Sequence, residues 1–431
     1  MDMKKQDGIN NLINYVIEDD NLWNAYERVF SNKGAPGADG ITVYQLKSHM
    51  NKYFSPLKRK LKDGSYEPQP VKRVAIPKSD GSKRYLGIPS VLDRVVQQAI
   101  LQVINPIIDP NFSDNSYGFR KNRNAHQAIG KAQKYYEEGY RFVVDCDLKS
   151  YFDTIHHQRL RAFLEYFISD KVVLELIWKF LRSGILDGDI FINTTKGAPQ
   201  GGPLSPILAN VYLNILDMEL EKRGHRFIRY ADDFVIYVKS KRAGERVMKS
   251  ITKFLEKKLG LTINQEKSEV RAITKTTFLG FNLQNLMGKV GCRPSRSAKQ
   301  RFKDKLRKLT SRKMHGTFYE IVTKINQTTT GWINYYGISN MKTFIKEMKS
   351  WLNHRLRQLI WKRWKVPRTK YKMLRRYGIN HDDAMKIANS RKGYWRISKS
   401  EIIHRAITNE KLIRWGLKDI FLIYEHRYLK G

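Results

Sequence analysis

RFIRYADDFVIYV, residues 226–238, places two apolar runs on either side of Ala231-Asp232-Asp233. The stretch predicts a β-hairpin with acids at its tip. A bare Asp-Asp in such a position is more often a polar turn than a site, so the surroundings must decide. Upstream, RFVVDCDL (141–148) reads as a strand in which Phe142, Val144, Cys146 and Leu148 share one face. Val143, Asp145 and Asp147 share the other, because successive side chains alternate across a sheet. Between the two acidic segments, GAPQGGPLSPILANVYLNILDMEL (197–220) is a Gly/Pro-rich loop followed by a helix.

Working outward, Leu22, Tyr26, Val29 and Phe30 recur at helical spacing after an expected cap at Asp20 or Asn21. GAPGADG (34–40) breaks that helix, and a second follows through Leu46 and Leu61. VKRVAIPK (71–78) and KRYLGIP (83–89) flank Ser79-Asp80-Gly81-Ser82, a strand–turn–strand signal. Val91 to Ile108 returns to helix. Ala243 to Leu259 is amphipathic, with Val247, Ile251, Phe254 and Leu255 inward and Gly260 as its stop. FLGFNL (278–283) is expected to be a strand. Beyond Pro294 the periodicity is helical, in stripes at Phe302/Leu306/Leu309, Phe318/Ile321/Val322/Ile325 and Phe344/Met348/Trp351/Leu359.

The 431 residues carry 80 Lys+Arg against 41 Asp+Glu, a net charge of +39. Residues 291–431 hold 35 basic and 9 acidic residues, so 35 − 9 = +26 lies there and 39 − 26 = +13 in the first 290. A charge that large concerns partners, and a nucleic-acid backbone is the commonest polyanion. The asymmetry suggests a catalytic part followed by a binding part. Trp361 to Gly378 holds eight Lys/Arg and no acid, interleaved with Trp and Tyr, a pattern that suits backbone contact and base stacking. Two cysteines, Cys146 and Cys292, exclude a CxxC zinc site or a disulfide framework. No signal peptide and no membrane-spanning run is expected, and a cytoplasmic location fits.

Three aspartates near strand ends suit Mg²⁺, a hard cation that takes oxygen ligands and keeps several waters. Two such ions, about 3.5–4 Å apart, activate an attacking hydroxyl and stabilise a leaving pyrophosphate. Here the blocks resemble a family. YADD (230–233), DLKSYFD (147–153), PQGGPLSP (199–206), VKRVAIPK, LGIPSVLDRVVQQAI (86–100) and SYGFRKNRNAHQAI (116–129) are similar, in order, to group II intron-encoded reverse transcriptases, also called maturases. GWINYYG (331–337) resembles their thumb, or maturase X region, and KGYW (392–395) the C-terminal domain of bacterial group IIC proteins. Lys121 and His156 depart from the usual residues and bear on subfamily. No HNH-type cluster follows, so no endonuclease domain is expected.

The resemblance implies roles. Asp147, Asp232 and Asp233 would be the catalytic metal ligands. Asp147 is preferred to Asp145 because the family's aromatic gate follows five positions on, at Phe152. Lys78 and Arg84 would clamp the triphosphate, Gln200 would contact the sugar, and Lys267 would protonate pyrophosphate. Leu279, Gly280 and Phe281 would grip the primer. Lys362, Arg363, Lys365, Arg375 and Arg376 are the candidate RNA-binding residues. The expected fold is a right-hand polymerase: an α/β palm and fingers, an all-α thumb and a small basic C-terminal domain. Expected domains are 1–95 (N-terminal extension and fingers), 96–290 (palm with inserted fingers elements), 291–366 (thumb) and 367–431 (basic D domain). The expected activity is RNA-directed DNA polymerisation with two Mg²⁺ ions, an RNA template, a DNA or RNA primer and dNTPs. Structured group II intron RNA and target DNA would be partners in splicing and retrohoming. The alternatives are a splicing maturase acting mainly as an RNA-binding cofactor, and a related enzyme recruited to DNA repair or phage defence.

Overall fold

In the computed structural model, residues 11–77, 81, 83–286 and 288–428 are described. Their strands are β1 (Val71–Pro77), β2 (Lys83–Ile88), β3 (Phe142–Cys146), β4 (Ile185–Asp187), β5 (Ile190–Ile192), β6 (Arg226–Tyr230), β7 (Asp233–Val238), β8 (Glu269–Ala272), β9 (Phe281–Leu286) and β10 (Lys289–Pro294). The chain divides into two compact units, Met1–Ile273 and Thr274–Gly431.

In the first unit the alternating acidic segments become one four-stranded sheet, in the order β6-β7-β3-β8. β3 is antiparallel to β7, with Asp145 opposite Val235 and Cys146 opposite Phe234. One side of this sheet is apolar: Val144, Cys146, Phe234 and Ile236 are all buried. They pack in the same core as helix Ser205–Lys222. That helix is buried at every position from Ile207 to Asn214, because it runs through the interior and has almost no wet face.

A second sheet has the order β2-β1-β4-β5. The expected β1–β2 hairpin forms, with Ile76 opposite Arg84. The sequence reading overlooked β4 and β5, a short hairpin turned at Gly188 (φ 62°) that joins β1 in parallel. Asp187-Gly188 between apolar residues was the available signal. A short helix, Leu12–Val16, precedes the expected one, which runs Asp19–Ser31 and starts earlier than the expected cap. Helix Val91–Ile108 falls where periodicity placed it and is capped by the Ser90 hydroxyl.

The second unit holds a two-stranded β9–β10 hairpin and helices including Arg296–Leu309, Phe318–Tyr336 and Lys342–Arg363. The expected strand over 278–283 is corrected. Phe278 and Phe281 exchange both backbone hydrogen bonds at 2.9 Å around Leu279 (φ 51°) and Gly280 (φ 79°), a tight turn, and the strand starts only at Phe281. Among the described strands β9 pairs with β10 alone, and both lie in the second unit, which begins at Thr274. The buried apolar residues of this unit form one core cluster between Phe302 and Tyr424.

Candidate active site

The β6–β7 turn is built from Tyr230, paired with Asp233 across Ala231 and Asp232. Ala231 has φ 60°, a left-handed conformation that glycine adopts more easily at the first position of a two-residue hairpin turn. Such strain costs on the order of 1–3 kcal/mol and persists only where neighbours enforce it. The neighbours are Arg229, Asp217 and Asn210. Arg229 Nη1 donates to the Ala231 carbonyl at 3.0 Å and to Asn210 Oδ1 at 2.8 Å. Its Nε and Nη2 donate to the Asp217 carboxylate at 2.8, 2.9 and 2.5 Å. Both partners of that ion pair are 0 % exposed. Asn210 Nδ2 donates to the Gly118 carbonyl at 2.9 Å, and the Gly118 backbone lies directly on the turn. Sequence reasoning missed this network. Its only local signals were an arginine inside an apolar strand and an aspartate inside an apolar helix.

Asp147 follows β3, and extending the β3–β7 register by one residue sets it opposite Asp233. The structure therefore brings Asp147 and Asp233 together, with Asp232 in the adjoining turn. Asp145 shares their face. Asp233 reaches solvent, yet burial among protein atoms, then the charges of Asp145, Asp232 and Asp147, push its carboxyl up to about 7. Water at its exposed edge relieves part of the burial, so the crowd of carboxylates is the firmer cause. Burial also raises Asp145, Arg271 opposes the rise and Asp147 adds to it. Asp145 thus belongs to the acidic cluster electrostatically, more closely than the sequence preference for Asp147 suggested.

Among the described residues no three His, Cys, Asp or Glu side chains are drawn together as a ready-made metal cage. Magnesium does not need one, since it is commonly held by one or two carboxylates, waters and substrate phosphates. Carboxylates that repel one another strongly enough to shift Asp233 are an oxygen donor set that a hard cation would relieve. On that ground the residues fit the ion.

The other candidates fall as follows. Lys78 lies outside the described residues. Arg84 is exposed on β2, and its Nε donates to Gln200 Oε1 at 2.9 Å, so two expected nucleotide-binding side chains meet. The Gln200 carbonyl accepts from Gly87 N at 2.9 Å, and a side chain at Gly201 would strike the Gly87 carbonyl, which requires glycine there. Phe152 is buried, edge-on to Tyr151 at 5.3 Å. Exposed Lys267 sits in a loop tied to Asp147: Asn264 N donates to the Asp147 carbonyl at 2.8 Å, and Asp147 N to Ser268 Oγ at 2.9 Å.

In the second unit, Phe281 is buried against Tyr335 and Tyr336, and Tyr335 Oη donates to the Leu279 carbonyl at 3.0 Å. Gly280 faces the Tyr336 hydroxyl too closely for a Cβ. Lys365, Arg375 and Arg376 are exposed. Lys362 and Arg363 are half-buried and donate to the Arg312 and Gly316 carbonyls. Arg375 also donates to the Ile379 carbonyl. The stacking expectation for this segment is corrected at two positions: Trp361 and Trp364 are buried, packed on each other at 5.6 Å, and are core residues. No described helix is long and apolar enough to cross a membrane.

Comparison with known proteins points to the family. Residues 76–283 match the family model described as reverse transcriptase (RNA-dependent DNA polymerase), and residues 299–378 that of the group II intron maturase-specific domain. Protein YkfC of Escherichia coli (strain K12) is 34 % identical over 316 residues, covering 64 % of this chain and 83 % of that protein. Group II intron-encoded protein LtrA of Lactococcus lactis subsp. cremoris is 28 % identical over 424 residues, covering 76 % of this chain and 70 % of that protein. A putative COX1/OXI3 intron 1 protein of Saccharomyces cerevisiae is 29 % identical over 338 residues, covering 65 % of this chain and 40 % of that protein. Carrying both domains in order, the chain belongs to the group II intron-encoded reverse transcriptases and maturases.

Proposed function

We propose that the chain extends a DNA or RNA primer on an RNA template by nucleotidyl transfer, with Asp147, Asp232 and Asp233 holding two Mg²⁺ ions. The observation that carries this reading is the sheet register, which aligns Asp147 with Asp233 beside a turn that bears Asp232. Magnesium bound there would favour the deprotonated primer 3′-hydroxyl and neutralise charge on the departing pyrophosphate. The chain's own residues do the rest. Lys78 and Arg84 bind the dNTP triphosphate, and Gln200, joined to Arg84, orients the sugar. Phe152 fills the space that a ribose 2′-hydroxyl would need. Lys267, on the loop tied to Asp147, gives a proton to pyrophosphate. Leu279, Gly280 and Phe281 hold the primer strand.

The right-hand division belongs to the same proposal: fingers and palm to about residue 290, a three-helix thumb to 366 that holds Arg296–Leu309, Phe318–Tyr336 and Lys342–Arg363, and a basic domain from 367 to 431. The +26 charge beyond residue 290 supports binding of structured intron RNA and target DNA, and so a part in splicing and retrohoming. A maturase with a decayed polymerase fits less well, because the three aspartates, Gln200 and Lys78 are all present. The test is Asp232→Asn. Incorporation of dNTPs on an RNA template should be abolished while RNA retention on a filter stays near wild type. Activity within tenfold of wild type would place the site elsewhere.

A further inference from the structure

Helix Lys342–Arg363 has a second stripe besides its apolar one. Lys346, the pair Lys349 and Ser350, Asn353 and Arg357 recur at steps of three or four residues, which puts them on one face. This face does not simply look into solvent. His404, Asn409 and Phe421, from later helices, close over it and leave a pocket of about 270 Å³. No carboxylate lines that pocket.

Arg357 is its unusual member. The side chain is 4 % exposed and forms no ion pair among the described residues. Nε donates to the Ile407 carbonyl at 2.7 Å and Nη2 to Asn409 Oδ1 at 2.9 Å. Nη1 has no hydrogen-bond partner among the described residues. A buried charge is costly unless it is paired, and a guanidinium fork matches the oxygens of a phosphate. Of the nearby acids, Asp419 is taken by Lys349 at 2.5 Å, and Glu410 acts on Arg357 only through space. Lys346, held over the Phe421 ring at 5.3 Å, supplies a second cation at the mouth. Ser350 adds a hydroxyl donor.

We propose that this pocket seats a phosphate group from the backbone of structured RNA, gripped by Arg357 from below and Lys346 at the rim. The source of the phosphate rests on the RNA-binding reading above. The volume is below the about 300–1,000 Å³ of drug-sized ligand sites, and it suits one phosphate with its sugar. Exposed lysines elsewhere on the unit screen a polyanion at random, whereas a built pocket fixes one backbone position and hence an orientation.

The test uses the full chain and three variants. Lys346→Gln and Arg357→Lys alter the pocket; Lys386→Gln removes an equal charge from an exposed helix position outside it. Affinity for an in vitro group II intron transcript is measured across a salt series. Both pocket variants should bind about tenfold more weakly at moderate salt, and Lys346→Gln should lower the salt slope by roughly one unit. Lys386→Gln should cost less than half of that loss. Single-nucleotide incorporation on a saturating short primer–template should be unchanged in all three. A parallel arm follows thermal stabilisation by inorganic phosphate. Stabilisation of wild type but not of Lys346→Gln, with no difference in RNA affinity, would assign the pocket to free phosphate and still support the site. If wild type binds the transcript, pocket variants bind equally well and phosphate stabilises nothing, the pocket is overturned while the RNA-binding reading stands. If wild type itself binds no structured RNA, that reading fails, and phosphate stabilisation alone decides the pocket. Should Arg357→Lys unfold, the outcome for Lys346→Gln decides the matter by itself.

Discussion

Gly118→Ala should cripple catalysis without touching a single acid. A Cβ at Gly118 would lie 2.2 Å from Ala231 N, 2.8 Å from Tyr230 C and 3.1 Å from Ala231 Cα. All three are backbone atoms of the acid-bearing turn, so no side chain can rotate out of the way. Ordinary contact begins at 3.4 Å, which requires a shift of 3.4 − 2.2 = 1.2 Å. Both sides resist it. The 118 segment is held by Asn210 and by Tyr117 N donating to the Arg229 carbonyl at 2.8 Å, and the turn is held by Arg229. If the turn yields most of the distance, Asp232 and Asp233 move by roughly 1 Å, a displacement that costs on the order of 10²-fold in rate. Overpacking should also cost about 1–3 kcal/mol of stability, a fall in Tm of roughly 2–10 °C. The assay is single-turnover dNTP incorporation on an RNA template, well below the Tm, with RNA affinity measured alongside. Gly130→Ala is the control: nothing lies within 4 Å of its Cβ on helix Ala125–Glu137, and it should gain about 0.5–1 kcal/mol. A folded Gly118→Ala protein with activity within threefold of wild type would refute the reasoning.

Further substitutions probe neighbouring parts of the site. Asp217→Ala leaves the Arg229 guanidinium buried without its counter-charge and should cost about 3–5 kcal/mol, read as a large drop in denaturant midpoint; a drop under about 1 kcal/mol would show that water or another group replaces the carboxylate. Arg84→Ala should raise KM for dNTPs more than it lowers kcat, because a triphosphate clamp acts mainly on binding. Unchanged dNTP kinetics would leave the Arg84–Gln200 contact a structural one. Phe152→Val should raise the ratio of rNTP to dNTP incorporation efficiency. If the ratio does not move, the buried ring is only core, and Tyr151 becomes the next residue to test.

What was legible in the sequence followed from local periodicity. Alternation around Asp232-Asp233 and around Asp145 and Asp147 set out the acid-bearing strands, and apolar spacing set out helix Val91–Ile108. What stayed hidden depends on contacts between distant segments. Arg229 meets Asp217 only twelve residues away but from a different element, so no single periodicity links them, and Gly118 meets Ala231 across more than a hundred residues, beyond any sequence window. Trp361 and Trp364 mislead because basic neighbours suggest a wet surface, whereas their packing places both rings in the core. The FLGFNL segment misleads for a different reason: its apolar residues fit a strand, but Leu279 and Gly280 both adopt positive φ, which closes a turn.

Helix Ser205–Lys222 has a consequence for how this protein can drift in sequence. A helix lying on a surface tolerates change on its wet side, and its substitution record shows a beat of about 3.6 residues. Helix Lys241–Phe254, where only Gly244 and Ile251 are buried, should behave that way. From Ile207 to Asn214 every side chain of the other helix is enclosed, so that beat should vanish and each position should be equally intolerant. Selection acting on that segment is then blind to which face a residue occupies. Lineages could change its size and shape only through paired substitutions that keep the summed volume, and its history should be one of coupled steps.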